Sequence, residues 1–177
     1  MRISFVASLV CLASLATTPG AAQEYEPPAD VGAADGGTRL GLDGFGVRGG
    51  LDFTHNARLA VGATLDLGQL FTSRLRLRAS AELSVFNGPN VYVGSLETLY
   101  YFTGPGERTR PYGGLGLGLA GGAECSADPE CPDLWPNVVL GFELRFRPTF
   151  NWLLEYHGMD LLRENRIHIG LTTRAGG

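Results

Sequence analysis

The sequence predicts an all-β protein, an eight-stranded antiparallel up-and-down transmembrane β-barrel. Three observations carry that prediction. The stretch from Ser73 to Phe86 reads SRLRLRASAELSVF, with Leu75, Leu77, Ala79, Ala81, Leu83 and Val85 on one parity and Arg74, Arg76, Arg78, Ser80, Glu82 and Ser84 on the other. Side chains alternate across a strand, whereas a helix would scatter the three arginines around its circumference. Seven further segments keep the same period of two from Thr38 onward, with no helical period among them. Finally, large aromatics gather at the segment ends, as they do at the two interfaces of a membrane barrel.

Taken in order, the first segment runs from Arg39 to Thr54, with Phe45, Val47, Leu51 and Phe53 on one face and Arg48 and Asp52 on the other. Leu40 and Leu42 are one register off, which predicts a bulge near Gly44. The second, Arg58 to Leu70, sets Leu59, Val61, Ala63, Leu65 and Leu67 against Thr64 and Asp66. The third is the 73–86 stretch. In the fourth, Asn90 to Thr103, Tyr92, Leu96, Tyr100 and Phe102 oppose Ser95 and Glu97, while Val91, Val93 and Leu99 dilute the polar face. The fifth, Arg110 to Gly122, alternates Leu115, Leu117 and Leu119 with Gly114, Gly116, Gly118 and Ala120. A face of glycine implies a bulky neighbour, and long arginines from other strands are the expected occupants. The sixth, Trp135 to Arg147, aligns Val138, Leu140, Phe142, Leu144 and Phe146 against Gly141, Glu143, Arg145 and Arg147. The seventh, Phe150 to Met159, sets Trp152, Leu154 and Tyr156 against Glu155 and His157, and the eighth, Arg166 to Ala175, sets Ile167, Ile169 and Leu171 against Arg166, His168, Gly170 and Arg174. The connections are short and rich in Asn, Gly and Pro, which favours antiparallel neighbours. Closure of such a meander removes exposed edges.

The alternation alone leaves open whether the charged face meets water outside or fills a lumen. Segments of about 10 to 14 residues suit tilted strands crossing a bilayer, whereas strands of soluble domains are mostly about 5 or 6 residues. The aromatics fall into two girdles: Phe71, Tyr100, Phe102, Tyr112, Phe146, Phe150 and Trp152 at the rim carrying the termini, and Phe53, Phe86, Tyr92 and Trp135 at the other. An arginine facing lipid at midplane costs about 2 to 4 kcal/mol, so three on one strand must face inward. The expected lumen network is Arg48, Asp52, Asp66, Arg74, Arg76, Arg78, Glu82, Glu97, Glu143, Arg145, Arg147, Glu155, His157, Arg166 and His168. The alternative is a secreted lipocalin-like carrier of a small ligand, with an apolar cup inside. It accounts for the alternation but not for the girdles.

The chain begins with Met1-Arg2, an apolar run from Ile3 to Ala16 and the small residues Pro19 to Ala22. That pattern marks residues 1–22 as a signal peptide, since about 14 apolar residues fall short of the roughly 20 that span a bilayer. Cys11 lies inside the apolar run rather than at its end, which argues against a lipid anchor. Residues 23–38, rich in Pro, Gly, Ala and acids, read as a disordered leader, and residues 39–177 as the barrel. The net charge of -4 and pI near 5.3 argue against a nucleic-acid partner. All 14 basic residues are arginine, a residue suited to fixed bidentate pairing with carboxylates; a GC-rich genome would give the same bias. Cys125 and Cys131, in ECSADPEC, read as a small disulfide loop in an exported chain, because a cysteine pair without histidine neighbours offers too few ligands for a metal.

The signal, the strand rhythm from Thr38 to Arg174 and the closing RIHIGLTTR resemble the small eight-stranded outer-membrane β-barrel proteins of Gram-negative bacteria, the OmpA-like and OmpX-like group. The resemblance implies outer-membrane residence, a lipid environment and roles that range from wall tethering to adhesion. The barrel pattern reaches the end of the sequence, so no peptidoglycan-binding domain is expected after it. Some barrels of this kind are lipid A deacylases or acyltransferases, which require a nucleophile beside a base. His157 with Glu155, Asp160 and His168 is the candidate cluster, and only Ser80, Ser84 or Ser95 brought close to His157 would complete it. The sequence therefore predicts no enzymatic activity, no cofactor and no resident metal, and a monomer. The 121–137 connection, with Glu124, Asp128, Glu130 and Asp133, offers oxygen ligands suited to calcium but reads equally as a solvated acidic loop; with the connection at 160–165 it is the expected contact for surface ligands.

Overall fold

The computed structural model describes residues 37–53, 57–85, 90–122 and 131–173. The segments named above as signal peptide and most of the leader lie outside these residues, as do Phe86, Cys125 and Arg174. Eight strands follow one another: β1 (Arg39–Asp52), β2 (Arg58–Leu70), β3 (Thr72–Val85), β4 (Val91–Tyr101), β5 (Thr109–Gly122), β6 (Asp133–Arg147), β7 (Phe150–Met159) and β8 (Glu164–Thr173). Each pairs antiparallel with the next, and β8 returns to β1, so the sheet closes into a barrel. The described residues contain no α-helix. The register slip expected near Gly44 is present, between Leu40 and Gly44 on the β1–β2 ladder.

Parity decides the two faces. Outward stand Val47, Leu65, Leu96, Leu117, Leu140, Leu154 and Ile169, all exposed. Inward stand Arg48, Thr64, Glu97, Glu155 and His168, all buried. This is the reverse of a water-soluble domain: Leu115 is 68% exposed while Arg166 is 0% exposed. A continuous aliphatic exterior of that extent is stable only against hydrocarbon, and the closed ladder satisfies the backbone within it.

Two expectations about the faces need correction. Tyr112 and Trp135 do not join the girdles. Tyr112 is buried in the lumen, and Trp135 packs inward against Val93, Ala120 and Met159. Both have the inward parity of their strands, Tyr112 with Gly114 and Trp135 with Asn137. The glycine face of β5 is also filled differently. A Cβ on Gly116 would meet Asn137 Oδ1 at 2.2 Å and Glu97 Cγ at 2.8 Å, and one on Gly114 would meet Leu99 Cδ2 at 2.5 Å. The occupants are therefore medium side chains from the flanking strands β4 and β6, not arginines from across the barrel.

The connection between β5 and β6 is shorter than the sequence suggests, because β5 runs to Gly122 and β6 starts at Asp133. Cys131 is disulfide-bonded, and its expected partner Cys125 lies outside the described residues, as do Glu124, Asp128 and Glu130. Asp133 is exposed at the start of β6.

Candidate functional site: the ion-paired lumen

The alternating strands deliver charged side chains into one closed space, and their axial order sorts them into tiers. Toward the end of the barrel away from the termini, Asp52 (β1) takes Arg58 (β2) at 3.0 Å, Arg166 (β8) at 3.3 Å and the Ser84 hydroxyl at 3.1 Å. Arg58 also reaches Glu164 at 3.7 Å, and Arg166 continues to Glu82 at 2.8 Å. Glu82 therefore links this tier to the middle one.

In the middle tier Arg48 pairs with Glu82 and with Glu155, the latter at 2.6 Å. Arg78 pairs with Glu155 at 2.5 Å and with Glu97 at 2.7 Å. Each guanidinium thus bridges two carboxylates and each carboxylate serves more than one donor. Glu97 further accepts from Ser80 at 3.0 Å and from the Asn137 amide at 3.3 Å, and Glu155 accepts from the Tyr112 hydroxyl at 2.5 Å. His157 Nε2 lies 3.1 Å from Arg48 Nη1 and 3.2 Å from Glu155, and its ring stands edge-on to His168, 5.1 Å between centroids. Charges this deeply buried persist only when paired and hydrogen-bonded.

The third tier, near the termini, is more open. Arg76 grips Asp66 with two nitrogens, at 2.8 and 2.9 Å, and reaches Asp43 at 2.7 Å. Glu143 accepts from Tyr101 at 3.0 Å, and Arg110 stacks over the Tyr101 ring at 4.1 Å. A void of about one water's size lies between these groups and Arg78.

Twelve of the fifteen expected lumen residues are therefore where the alternation puts them: Arg48, Asp52, Asp66, Arg76, Arg78, Glu82, Glu97, Glu143, Glu155, His157, Arg166 and His168. Three are not. Arg74 is exposed near the start of β3, Arg147 is exposed at the end of β6, and Arg145 donates to the Pro105 carbonyl at 2.9 Å in the β4–β5 turn. They have the inward parity but lie past the end of the ion-paired tiers. Conversely, Arg58, Arg110, Asp43, Tyr101, Tyr112 and Asn137 complete the tiers without having been expected. Arg58 shares its parity with Thr64 and Asp66, and Tyr112 with Gly114, so the same period of two could have flagged both.

The catalytic constellation does not assemble. Ser80 bonds to Glu97 and lies 3.2 Å from Ser95, and Ser84 bonds to Asp52, so these hydroxyls are turned to carboxylates rather than to His157. Glu82, His157 and His168 do place three potential metal ligands within 4.8 Å of one another. Both oxygens of that carboxylate already receive guanidinium groups, from Arg48 and Arg166. A cation there would face two fixed positive charges at contact distance, and the donor set fits arginine rather than a metal. Nor does the lumen offer a carrier's apolar cup; its middle is occupied by charge.

Solved structures with the same architecture are found. The N-terminal β-barrel domain of Pseudomonas aeruginosa OprF superimposes with a TM-score of 0.56 at 17% identity, covering 75% of this chain and 98% of that one. Neisserial surface protein A gives 0.54 at 11% identity over 74% and 94% of the two chains. A de novo designed transmembrane β-barrel gives 0.51 at 13% identity over 78% and 100%. The fold is that of the small eight-stranded transmembrane β-barrels. No protein-family model matches the sequence, and no curated protein does.

Proposed function

We propose that the protein is an exported outer-membrane β-barrel with a structural or surface-interaction role, its lumen plugged by charge. The observation that carries this reading is the inside-out distribution: aliphatic side chains outward from every strand, and three tiers of arginine–carboxylate pairs within. Outer-membrane neighbours of the same fold support the location, and the signal-like start of the sequence supports export. Eight strands enclose a space about wide enough for side chains alone, and here salt-bridged side chains fill it. The role proposed is non-enzymatic, the assembly a monomer in lipid, and the β5–β6 connection with the 160–163 turn the contact for surface ligands; no nucleic acid is expected.

Fractionation of the expressed protein with a heat-modifiability gel tests location and fold together. The expected outcome is co-sedimentation with outer membranes and a band that shifts on boiling; recovery from the soluble periplasm would refute the reading. In planar bilayers the pure protein is expected to give negligible conductance in 1 M KCl, a concentration of roughly that order leaving buried pairs largely unscreened. Sustained channels would show the plug to be open.

A further inference from the structure

The turn between β7 and β8 has a backbone that its residues disfavour. Asp160, Leu161 and Leu162 all take left-handed φ values, 45°, 55° and 69°, a conformation that persists in such residues only where surrounding contacts hold it. Here the Arg163 N–H donates to the Asp160 carbonyl at 3.2 Å, the Asn165 amide to the Leu162 carbonyl at 3.0 Å, and the Tyr156 hydroxyl to the Asn165 side-chain oxygen at 2.5 Å. So held, the turn folds back onto the outer wall. Gly158 has the outward parity of Leu154 and Tyr156 yet is buried, because Leu162 lies over it: a Cβ on Gly158 would meet Leu162 Cδ2 at 2.3 Å. Leu161, 77% exposed, borders a groove of about 630 Å³ on the same face. The groove follows one row of paired residues across five strands, Leu77, Thr98, Leu115, Val138 and Gly158.

Depth identifies what these leucines touch. Phe150, with Phe146 at 6.3 Å between ring centroids, belongs to the exposed aromatics of the rim at the termini, where an apolar band begins. A strand rising about 3.3 Å per residue and tilted about 40° climbs about 20 Å from Phe150 to Gly158, short of the far edge of a band about 25 Å tall. Leu161 and Leu162, laid back toward Gly158, are therefore level with hydrocarbon. The groove beside them is continuous with the aliphatic exterior, and among the described residues none that lines it is charged. Arg163, paired with Asp160 at 3.6 Å, has a stem long enough to carry its charge to the interface. We propose that the β7–β8 turn is seated in the bilayer, with Leu161 and Leu162 against lipid acyl chains in the half away from the termini. This rests on the membrane reading above and names lipid as what the 160–163 turn binds, leaving ligands from the aqueous phase to the β5–β6 connection.

Nitroxide labels on the full chain in phosphatidylcholine vesicles read the seating directly, through their collisions with oxygen, which enters hydrocarbon, and with a water-soluble nickel chelate, which does not. Cys131 is held in a disulfide, so a thiol introduced as L161C or L162C takes the label. L117C, outward and mid-strand, is the reference for lipid, and G106C, in the exposed β4–β5 turn, the reference for water. A band shift on boiling confirms that each labelled variant is folded. The ratio of oxygen to chelate collisions at 161 and 162 is expected to match that at 117 and to exceed that at 106 at least about tenfold, the penalty for bringing a polar complex into hydrocarbon. A ratio at 161 and 162 equal to that at 106, with 117 still in lipid, overturns the seating and leaves the membrane reading standing. Protection from both reagents with spin–spin broadening would show a second copy covering the turn, and overturns it too. Failure of the membrane reading looks different: the label at 117 would itself meet the chelate as freely as the one at 106.

Discussion

Glu155 is the member of the lumen network whose loss should be felt most. Its two oxygens accept from Arg48 at 2.6 Å, Arg78 at 2.5 Å and the Tyr112 hydroxyl at 2.5 Å, with no exposure to solvent. Glu155→Gln keeps the volume and one acceptor but removes the charge. Breaking a buried pair from one side costs about 3–5 kcal/mol. Arg48 keeps Glu82 and Arg78 keeps Glu97, so the low end applies, about 3 kcal/mol. That is roughly a 150-fold loss in the folding equilibrium constant. Urea unfolding in phospholipid vesicles, followed by tryptophan fluorescence and by the fraction running as the compact band without boiling, should show a midpoint lowered by about 1 M. Asp66→Asn removes a partly exposed carboxylate and should cost about 1 kcal/mol. Glu107→Gln, in an exposed turn, should cost less than about 0.5 kcal/mol. Burial predicts that ranking. If Glu155→Gln and Glu107→Gln unfold at the same midpoint, the lumen is wet and screened, and the plug is not what holds the strands in place.

Four further substitutions probe the packing and the exterior. Gly116→Ala drives a Cβ to 2.7 Å from the Leu96 carbonyl oxygen and should destabilise by about 1–3 kcal/mol. Gly94→Ala, on the outer face with nothing within 4 Å, should be neutral or stabilising by up to about 0.5 kcal/mol, and the same vesicle assay compares the two. Leu117→Arg, mid-strand and outward, should cost about 2–4 kcal/mol in a bilayer; a stability equal to wild type would mean that this face does not meet hydrocarbon. Arg163→Ala loses an exposed pair with Asp160 at 3.6 Å and should leave the midpoint unchanged within about 0.5 kcal/mol.

Parity was legible in the sequence and depth was not. A period of two tells which way each side chain points, and Arg48, Arg78, Glu97, Glu155 and Arg166 all point inward as it requires. It says nothing about how far along the axis a residue stands, because that is fixed by the stagger between neighbouring strands. Glu143 and Arg145 share a face on β6 and differ by one step, yet Glu143 is buried in the third tier and Arg145 has left the lumen for the Pro105 carbonyl. The glycines of β5 show the same limit. Their inward parity was plain, but only the ladders reveal that Gly116 lies between Glu97 on β4 and Asn137 on β6. Those two side chains bond to each other across the glycine. An arginine reaching in from the far wall would have to displace that bond, which is why the small face of β5 seats a hydrogen-bonded pair instead.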